Sequence, residues 1–448
     1  MIAHCAGEPV SARQFLADVR HLAARLPSGT HVLNVCADRY HFAVGLAACL
    51  VSRKISLMPG TRTPEAIRQL AASTPDALCL TDDERCDIDL ERVHYRRGPA
   101  SAATWSMPRL DPAQTAAILY TSGSTGAPVP HAKTWGSLVH CVQSGAALLG
   151  LAGGAPFAIV GTVPAQHMYG FESTVLLPLL NGGSFAAERP FYPADVCAAL
   201  AAAPRPRVLV TTPVHLRTLL AAGLDLPANL IVSATAPLSR ELARDVEARF
   251  AAPLLEIYGS TETGQIATRR TRDTDVWTLW PGVQLVCRAG DTFAAGGHVG
   301  RPTALADVIE ITGPDTFRLH GRTADLVNIA GKRSSFGFLN HQLNAIDGVS
   351  DGAFFQPEAA PPDGAVTRLA AVAVAPALSA AAITAELRLR IDPVFLPRPL
   401  LLVDALPRNA TGKLPRDSLL AVLDRHNLER QDLERQDLER QDPPPGGV

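Results

Sequence analysis

Along most of this chain, short apolar runs alternate with longer stretches of helical periodicity. HVLNVCA (31–37) reads as a strand and HFAVGLAACLVSR (41–53) as the helix after it; DALCLT (76–81) and AAILYT (116–121) are further strands. FAIVGTV, GGSFAA, RVLVTT, LIVSAT and PLLEIYG continue the series to residue 259. Trp135, Leu138, Val142 and Leu149 fall at helical spacing, a face most simply explained as core, and SRELARDVEARF (239–250) is an amphipathic helix. Strands that alternate with helices predict an α/β fold built on parallel sheet. Beyond about residue 322 the pattern changes to LAAVAVAP, the helix SAAAITAELRLRI and a late basic loop, LPRNATGKLPR. This predicts a smaller α+β domain over 322–426 behind a large N-terminal domain over 1–321. From Leu428 the chain repeats LERQD and then ends PPPGGV. Leucines five apart advance about 140° per step on an α-helix, so they spiral and form no seam. Residues 427–448 are expected to be a low-complexity tail, a frayed helix and then a disordered end.

The chain has 448 residues, 47% of them apolar, which is ample for more than one domain. A net charge of −2 without a basic tract argues against nucleic acid as a partner. The eight cysteines include no C-x-x-C pair, the usage of a reduced, cytoplasmic protein without a zinc site or disulfide framework. Glu8, Arg13, Asp18 and Arg20 break any signal-peptide core. Glycines, polar residues and Pro156 break the apolar region from Leu138 to Ala165, which excludes a span of about twenty apolar residues.

Two stretches carry chemistry. AAILYTSGSTGAPVPHAKTW (116–135) runs from an apolar strand into Thr121, Ser122, Gly123, Ser124, Thr125 and Gly126. Glycines admit close approach, and free N–H groups with hydroxyls attract anions, so the stretch reads as a phosphate cradle or as a Ser/Gly-rich surface loop. It does not fit the Walker A pattern. EIYGSTETG (256–264) again ends an apolar strand, with an aromatic, a glycine, hydroxyls and a carboxylate in order. That set is suited to stacking a base, binding phosphate and holding Mg²⁺.

Together these stretches resemble the acyl-adenylate-forming superfamily of acyl- and aryl-CoA synthetases, peptide-synthetase adenylation domains and luciferases. YTSGSTG resembles its phosphate loop, YGSTETG its adenine and magnesium motif, LHGRTADLVNIAGKR (319–333) its hinge, and PRNATGKLPR its C-terminal lysine motif. The four occur in the family's order, and the resemblance covers residues from about 30 to 425. It implies a mobile C-terminal lid and an ATP-dependent, AMP-forming acid–thiol ligase with Mg²⁺. Thr121 to Gly126 would wrap the β- and γ-phosphates, Tyr258 and Gly259 would meet adenine, Thr261 the α-phosphate, and Glu262 would ligate Mg²⁺. Asp307 and Arg322 would bind ribose or phosphate. Lys413 would neutralise the charge that develops when two anions meet. At ~4 Å and an effective dielectric of about 20, such a pair repels by about 4 kcal/mol.

His167 and Tyr169 would lie beside the acid, and Gly331 and Arg333 would help admit the thiol. SATAPLS (233–239) resembles a loop that lines adenine and acid through Ala234, Thr235, Ala236 and Pro237; this chain has Ala234 and Thr235 where glycines are usual, which should narrow the pocket. Other departures are Val129–Pro130 where the phosphate loop usually has a lysine, and Ala324 at the hinge. Lys133 is either the replacement for that lysine or a surface residue. The chain looks most like compact ligases that load hydroxybenzoate onto acyl carrier protein in xanthomonadin and aryl-polyene pigment pathways. The acceptor would be acyl carrier protein or CoA. The alternatives are a fatty acyl-CoA or acyl-carrier-protein synthetase and a non-catalytic nucleotide-binding homologue.

Overall fold

The structure is a computed structural model that describes residues 1–60, 62–99, 107–122, 128–288, 291–322, 326–329, 332–357, 368–409 and 413–441. The chain forms two compact units, Met1–Leu305 with Glu310–Arg318, and Ala306–Ile309 with Leu319–Val448.

The first unit is built on two large sheets, beside a small antiparallel one of Val283–Arg288, Asp291–Gly296 and Gly300–Ala304. In one, Glu91–His94, Leu78–Thr81, His31–Asn34, Ile55–Met58 and Thr115–Ser122 lie parallel in that order, with Pro128–Thr134 antiparallel at the edge. In the other, Ser184–Ala186, Ala158–Gly161, Arg207–Thr211, Leu230–Ser233 and Leu254–Ser260 run parallel, followed by antiparallel Gly264–Arg269 and Val276–Leu279. Strands such as Ala158–Gly161 and Leu230–Ser233 are buried along their whole length, as their unbroken apolar runs require. Because these strands are parallel, the loops after Gly161, Thr211, Ser233 and Ser260 leave one edge of the sheet. That edge is where an open α/β sheet places its ligands.

The two sheets are joined through Arg39. It opens the helix Arg39–Val51, whose N-cap Asp38 accepts from the His41 N–H. The helix is apolar on nearly every side, as suits an element buried all round. Arg39 itself is buried and donates from Nε to Thr174 Oγ1 at 3.0 Å. Its terminal nitrogens donate to Ala186 O at 2.6 Å and Gly161 O at 2.9 Å, both at strand ends of the second sheet. Burial lowers its pKa to about 10, which still leaves it cationic at neutral pH.

The second unit carries a three-stranded sheet, with Asp351–Phe355 antiparallel and Leu400–Leu402 parallel to the central Ala370–Val374. Helices Phe336–Asn344 and Ala380–Arg390 bury Leu339, Leu343, Ile383 and Leu387 in one cluster. Leu419 and Leu423, one turn apart on the helix Arg416–Gln441, pack in another cluster with Val372 and Leu401. Leu428 is exposed, and the helical backbone continues through the repeats to Gln441; the expected Pro/Gly end lies outside the described residues. The α/β class with a larger N-terminal and a smaller C-terminal domain is therefore the observed architecture. Among the described residues, no helix is long and apolar enough to cross a membrane.

Replacing Arg39 with methionine keeps most of the apolar stem and strands the carbonyls of Gly161 and Ala186 in the interior. Each buried acceptor left short costs about 1–3 kcal/mol. Arg39→Met should therefore lose about 3 kcal/mol in denaturant unfolding; a loss below about 1 kcal/mol would show that water takes over those carbonyls.

Candidate functional site

Strand Thr115–Ser122 delivers Thr121 to the sheet edge, and Pro128–Thr134 returns beside it with His131 opposite Leu119. Gly123, Ser124, Thr125 and Gly126 lie outside the described residues, as does the side chain of Ser122. The returning strand is an edge strand and so tolerates Pro128 and Pro130. His131 and Lys133, two residues apart, share one of its faces. His131 Nε2 lies 2.8 Å from Thr121 Oγ1 and 3.5 Å from Glu262 Oε1. Lys133 Nζ donates to the backbone carbonyl of Glu262 at 2.7 Å. Lys133 therefore reaches the second motif and is not simply a surface residue.

That motif is a hairpin between Leu254–Ser260 and Gly264–Arg269, with a register shift at Tyr258/Gly259. A Cβ on Gly259 would sit 2.2 Å from Gly264 O, so the irregular pairing needs glycine there. Ser260 Oγ accepts from the Thr263 N–H, and Thr263 Oγ1 accepts from the Ser260 N–H, both at 3.2 Å. This reciprocal pair closes the turn that carries half-buried Thr261 and exposed Glu262. Partial burial pushes the Glu262 carboxyl up; its own N–H, the Ser260 hydroxyl, His131 and Lys133 outweigh that and hold it below the usual carboxylate range. Tyr258 packs against Trp277 and Phe317 with ring centroids 5.6 and 5.5 Å away, and the Arg269 guanidinium lies 4.3 Å over Trp277.

Behind the turn lies Glu172, fully buried in a π-helical segment, Phe171–Leu176. Its Oε1 accepts from Cys141 Sγ at 3.1 Å, its Oε2 has no hydrogen-bond partner among the described residues, and burial raises its pKa to about 7. The π-helical segment follows Gly170, where a Cβ would lie 2.0 Å from Pro164 O. Neither Glu172 nor His131 stands out in the sequence by type or spacing. His131 could have been found from the strand alternation that pairs it with Lys133.

His167 caps the short helix Met168–Gly170, and its Nδ1 accepts from the Tyr169 N–H at 3.3 Å. In the neutral ring this leaves the proton on Nε2. Tyr169, expected in the acid wall, is buried and donates to Thr211 O at 3.2 Å and Val232 O at 3.0 Å. Its hydroxyl is committed to the sheet. The loop after Leu230–Ser233 carries buried Ala234, half-buried Thr235 and Ala236, and exposed Pro237. Buried Glu256 fixes the far end of this loop: Oε1 accepts from the Leu238 N–H at 3.1 Å, and Oε2 accepts from Arg269 and Thr271. Thr235 has φ +80°, a conformation that β-branched residues rarely adopt.

In the second unit, Asp307 opens the strand Asp307–Ile311, and Arg322 ends the strand Thr316–Arg322. Arg333 lies in the strand Lys332–Ser335. The side chains of Arg322 and Arg333, and all of Gly331, lie outside the described residues. Lys413 is exposed and pairs with Asn409: its N–H donates to Asn409 Oδ1 at 2.9 Å, and the Asn409 N–H donates to Lys413 O at 2.8 Å. Beside Asn409, Arg408 makes two bonds to Asp351, at 2.8 and 2.7 Å.

Comparison with known proteins agrees with this arrangement. Residues 2–316 match the family model described as AMP-binding enzyme. A 4-coumarate–CoA ligase of Rhodobacter capsulatus is 34% identical over 233 residues, 52% of this chain and 58% of that protein. The chain thus spans less than two-thirds of that relative's length. A 4-coumarate–CoA ligase of Halorhodospira halophila is 30% identical over 305 residues, 66% of this chain and 73% of that one. ATP-bound MatB from Rhodopseudomonas palustris superposes with a TM-score of 0.79 at 20% identity, covering 94% of this chain and 95% of that one. The anthranilate CoA ligase AuaEII in complex with anthranoyl-AMP gives 0.77 at 16% identity, covering 94% and 93%. At these identities the structural likeness establishes the fold alone. The family match, with the two motifs side by side at the sheet edge, shows that the chain belongs to the AMP-binding enzymes, the acyl-adenylate-forming superfamily.

Proposed function

We propose that this chain is an ATP-dependent, AMP-forming acid–thiol ligase that activates a small aromatic acid such as a hydroxybenzoate. The observation that carries the reading is the contact of the phosphate strand with the carboxylate turn, through Thr121, His131 and Glu262. The relatives named as 4-coumarate–CoA ligases favour an aromatic acid and CoA. Acyl carrier protein, which offers the same phosphopantetheine thiol, is the second acceptor to test.

Mg²⁺ fits the donor set. Among the described residues, no three His, Cys, Asp or Glu side chains gather to hold a metal ion. A single exposed carboxylate, Glu262, suits a hard cation that keeps waters and phosphate oxygens as its other ligands. When bound, it would neutralise phosphate charge. The chain's own residues do the rest. Thr121 and the loop after it bind the phosphates, Tyr258 offers a ring to adenine, and Thr261 meets the α-phosphate. The substrate carboxylate attacks the α-phosphorus, the bond to the β-phosphate oxygen breaks, and pyrophosphate leaves. A thiolate then attacks the acyl carbon and AMP departs. The second unit acts as the lid: Lys413 serves the first step and withdraws for the second, when Gly331 and Arg333 face the thiol.

Pyrophosphate release should be screened over acids with saturating ATP, with CoA or carrier protein present or absent. The expected outcome is a higher kcat/KM for 4-hydroxybenzoate than for dodecanoate. A preference for dodecanoate would overturn the aromatic reading, and no acid-dependent release at all would favour the non-catalytic nucleotide binder. Lys413→Ala should abolish adenylate formation, by about a hundredfold or more, and largely spare thiol transfer from synthetic acyl-AMP. Equal loss of both half-reactions would remove the stepwise role. Thr235→Gly relieves a strained backbone worth about 1–3 kcal/mol. The variant should unfold at a higher temperature and gain relative activity on longer acids. A fall in Tm would show that the Thr235 side chain offsets its own strain, and an unchanged acid profile would remove it from the pocket wall.

A further inference from the structure

Within the proposed adenylation site, one strand grips the metal-binding turn at two points. His131 and Lys133 project from the same face of Pro128–Thr134. His131 reaches the Glu262 carboxylate, and Lys133 reaches the carbonyl of the same residue. We infer that Lys133 and His131 are positioning residues that fix Glu262 for the metal–nucleotide complex, and that Lys133 does so without touching phosphate.

Three observations support this. A carboxylate on a four-residue turn has freedom in both backbone and side chain, and the two contacts restrain one each. Lys133 commits one of its three N–H donors to a protein carbonyl at 2.7 Å, a charge-assisted bond that ties the ammonium to the backbone of the turn. Burial lowers the pKa of the ammonium, and Glu172 behind it, with Glu262 beside it, offsets part of that. Gln265 extends the support, donating from Nε2 to Ser173 Oγ at 2.8 Å on the π-helical segment. Gly264, at φ +74°, lets the turn lie against Glu172, because a Cβ there would meet Oε1 at 2.8 Å. The strand after the phosphate loop, the turn and the buried acid thus form one stack whose outer member is Glu262.

The proposal rests on the adenylation reading, and two readouts separate them. In the unliganded protein, amide exchange of the segment 256–266 should be faster in Lys133→Met than in wild type and restored by Lys133→Arg, which keeps a cationic donor. Unchanged exchange would overturn the clamp. ATP binding is then titrated by calorimetry across Mg²⁺ concentrations. Lys133→Met should raise the Mg²⁺ needed for half-maximal binding by about five- to tenfold, with ATP affinity in the absence of Mg²⁺ within about twofold of wild type. A comparable loss without Mg²⁺ would mean that Lys133 contacts phosphate, and the proposal would fall. His131→Ala supplies the same Mg²⁺ test if Lys133→Met does not fold; a Mg²⁺ dependence equal to wild type would remove His131 from the clamp. If wild-type protein binds no ATP under any condition, the adenylation reading fails, and the exchange experiment still decides the clamp.

Discussion

A buried guanidinium that bonds no carboxylate among the described residues, though the Asp38 and Glu188 charges favour it, sets the geometry of the first unit. Arg39 donates to Gly161 O, Ala186 O and Thr174 Oγ1 and receives no formal counter-charge among those contacts. Such a cation is tolerable only when its donors meet well-placed acceptors, and strand ends supply them, because carbonyls beyond the last ladder bond point away from the sheet. The consequence reaches past stability. Arg39 belongs to the helix that follows His31–Asn34, a strand of the sheet that also carries Thr121, while its acceptors end strands of the sheet that carries Glu262. Two sheets that could slide are pinned at the edge where the site forms.

The Glu262 turn shows how polar groups are kept in register over that pinned edge. Glu256, two positions before Tyr258 on the same strand, is buried and satisfied by Leu238, Arg269 and Thr271, so it ties the Thr235 loop to the hairpin. Glu172 plays the opposite part. With one oxygen lacking a hydrogen-bond partner among the described residues and its pKa raised to about 7, it lies near the balance between neutral and charged forms. Burial disfavours its charge, and the Lys133 ammonium nearby favours it. Neither group is placed to leave: one belongs to a π-helical segment held by Gly170, the other to a strand. A buried polar layer of this kind gives rigidity in one place, the turn above it.

The fold was legible in the sequence because parallel strands buried on both faces leave unbroken apolar runs, and Ala158–Gly161 and Leu230–Ser233 do so. The motif strands were legible for the same reason, since glycines and hydroxyls behind an apolar run are conspicuous. What could not be read was the direction of side chains. Tyr169 was read as lying beside the acid; the sequence did not show that its hydroxyl bonds two sheet carbonyls, Thr211 O and Val232 O. His131 drew no attention in the sequence; the antiparallel return of its strand brings it to Glu262. Lys133 left two readings open from sequence, and its contact across 129 residues of chain is with the Glu262 carbonyl, which neither reading contained.

Thr235 shows how these constraints meet at one residue. Glycine is the inexpensive occupant of a position at φ +80°, so a threonine there raises the energy of the folded chain by an amount that something nearby must offset. The loop is held at both ends: by the ladder at Ser233, which pairs with Glu256, and by the Glu256 carboxylate on the Leu238 N–H. Both tethers restrict how far the backbone between them can move toward the β region. One of those tethers is the same carboxylate that organises the adjacent hairpin. A side chain put there gains a fixed direction, since rotation of the loop is closed to it. Added volume in a fixed direction stays where the backbone puts it, whereas the same volume on a free loop would swing aside.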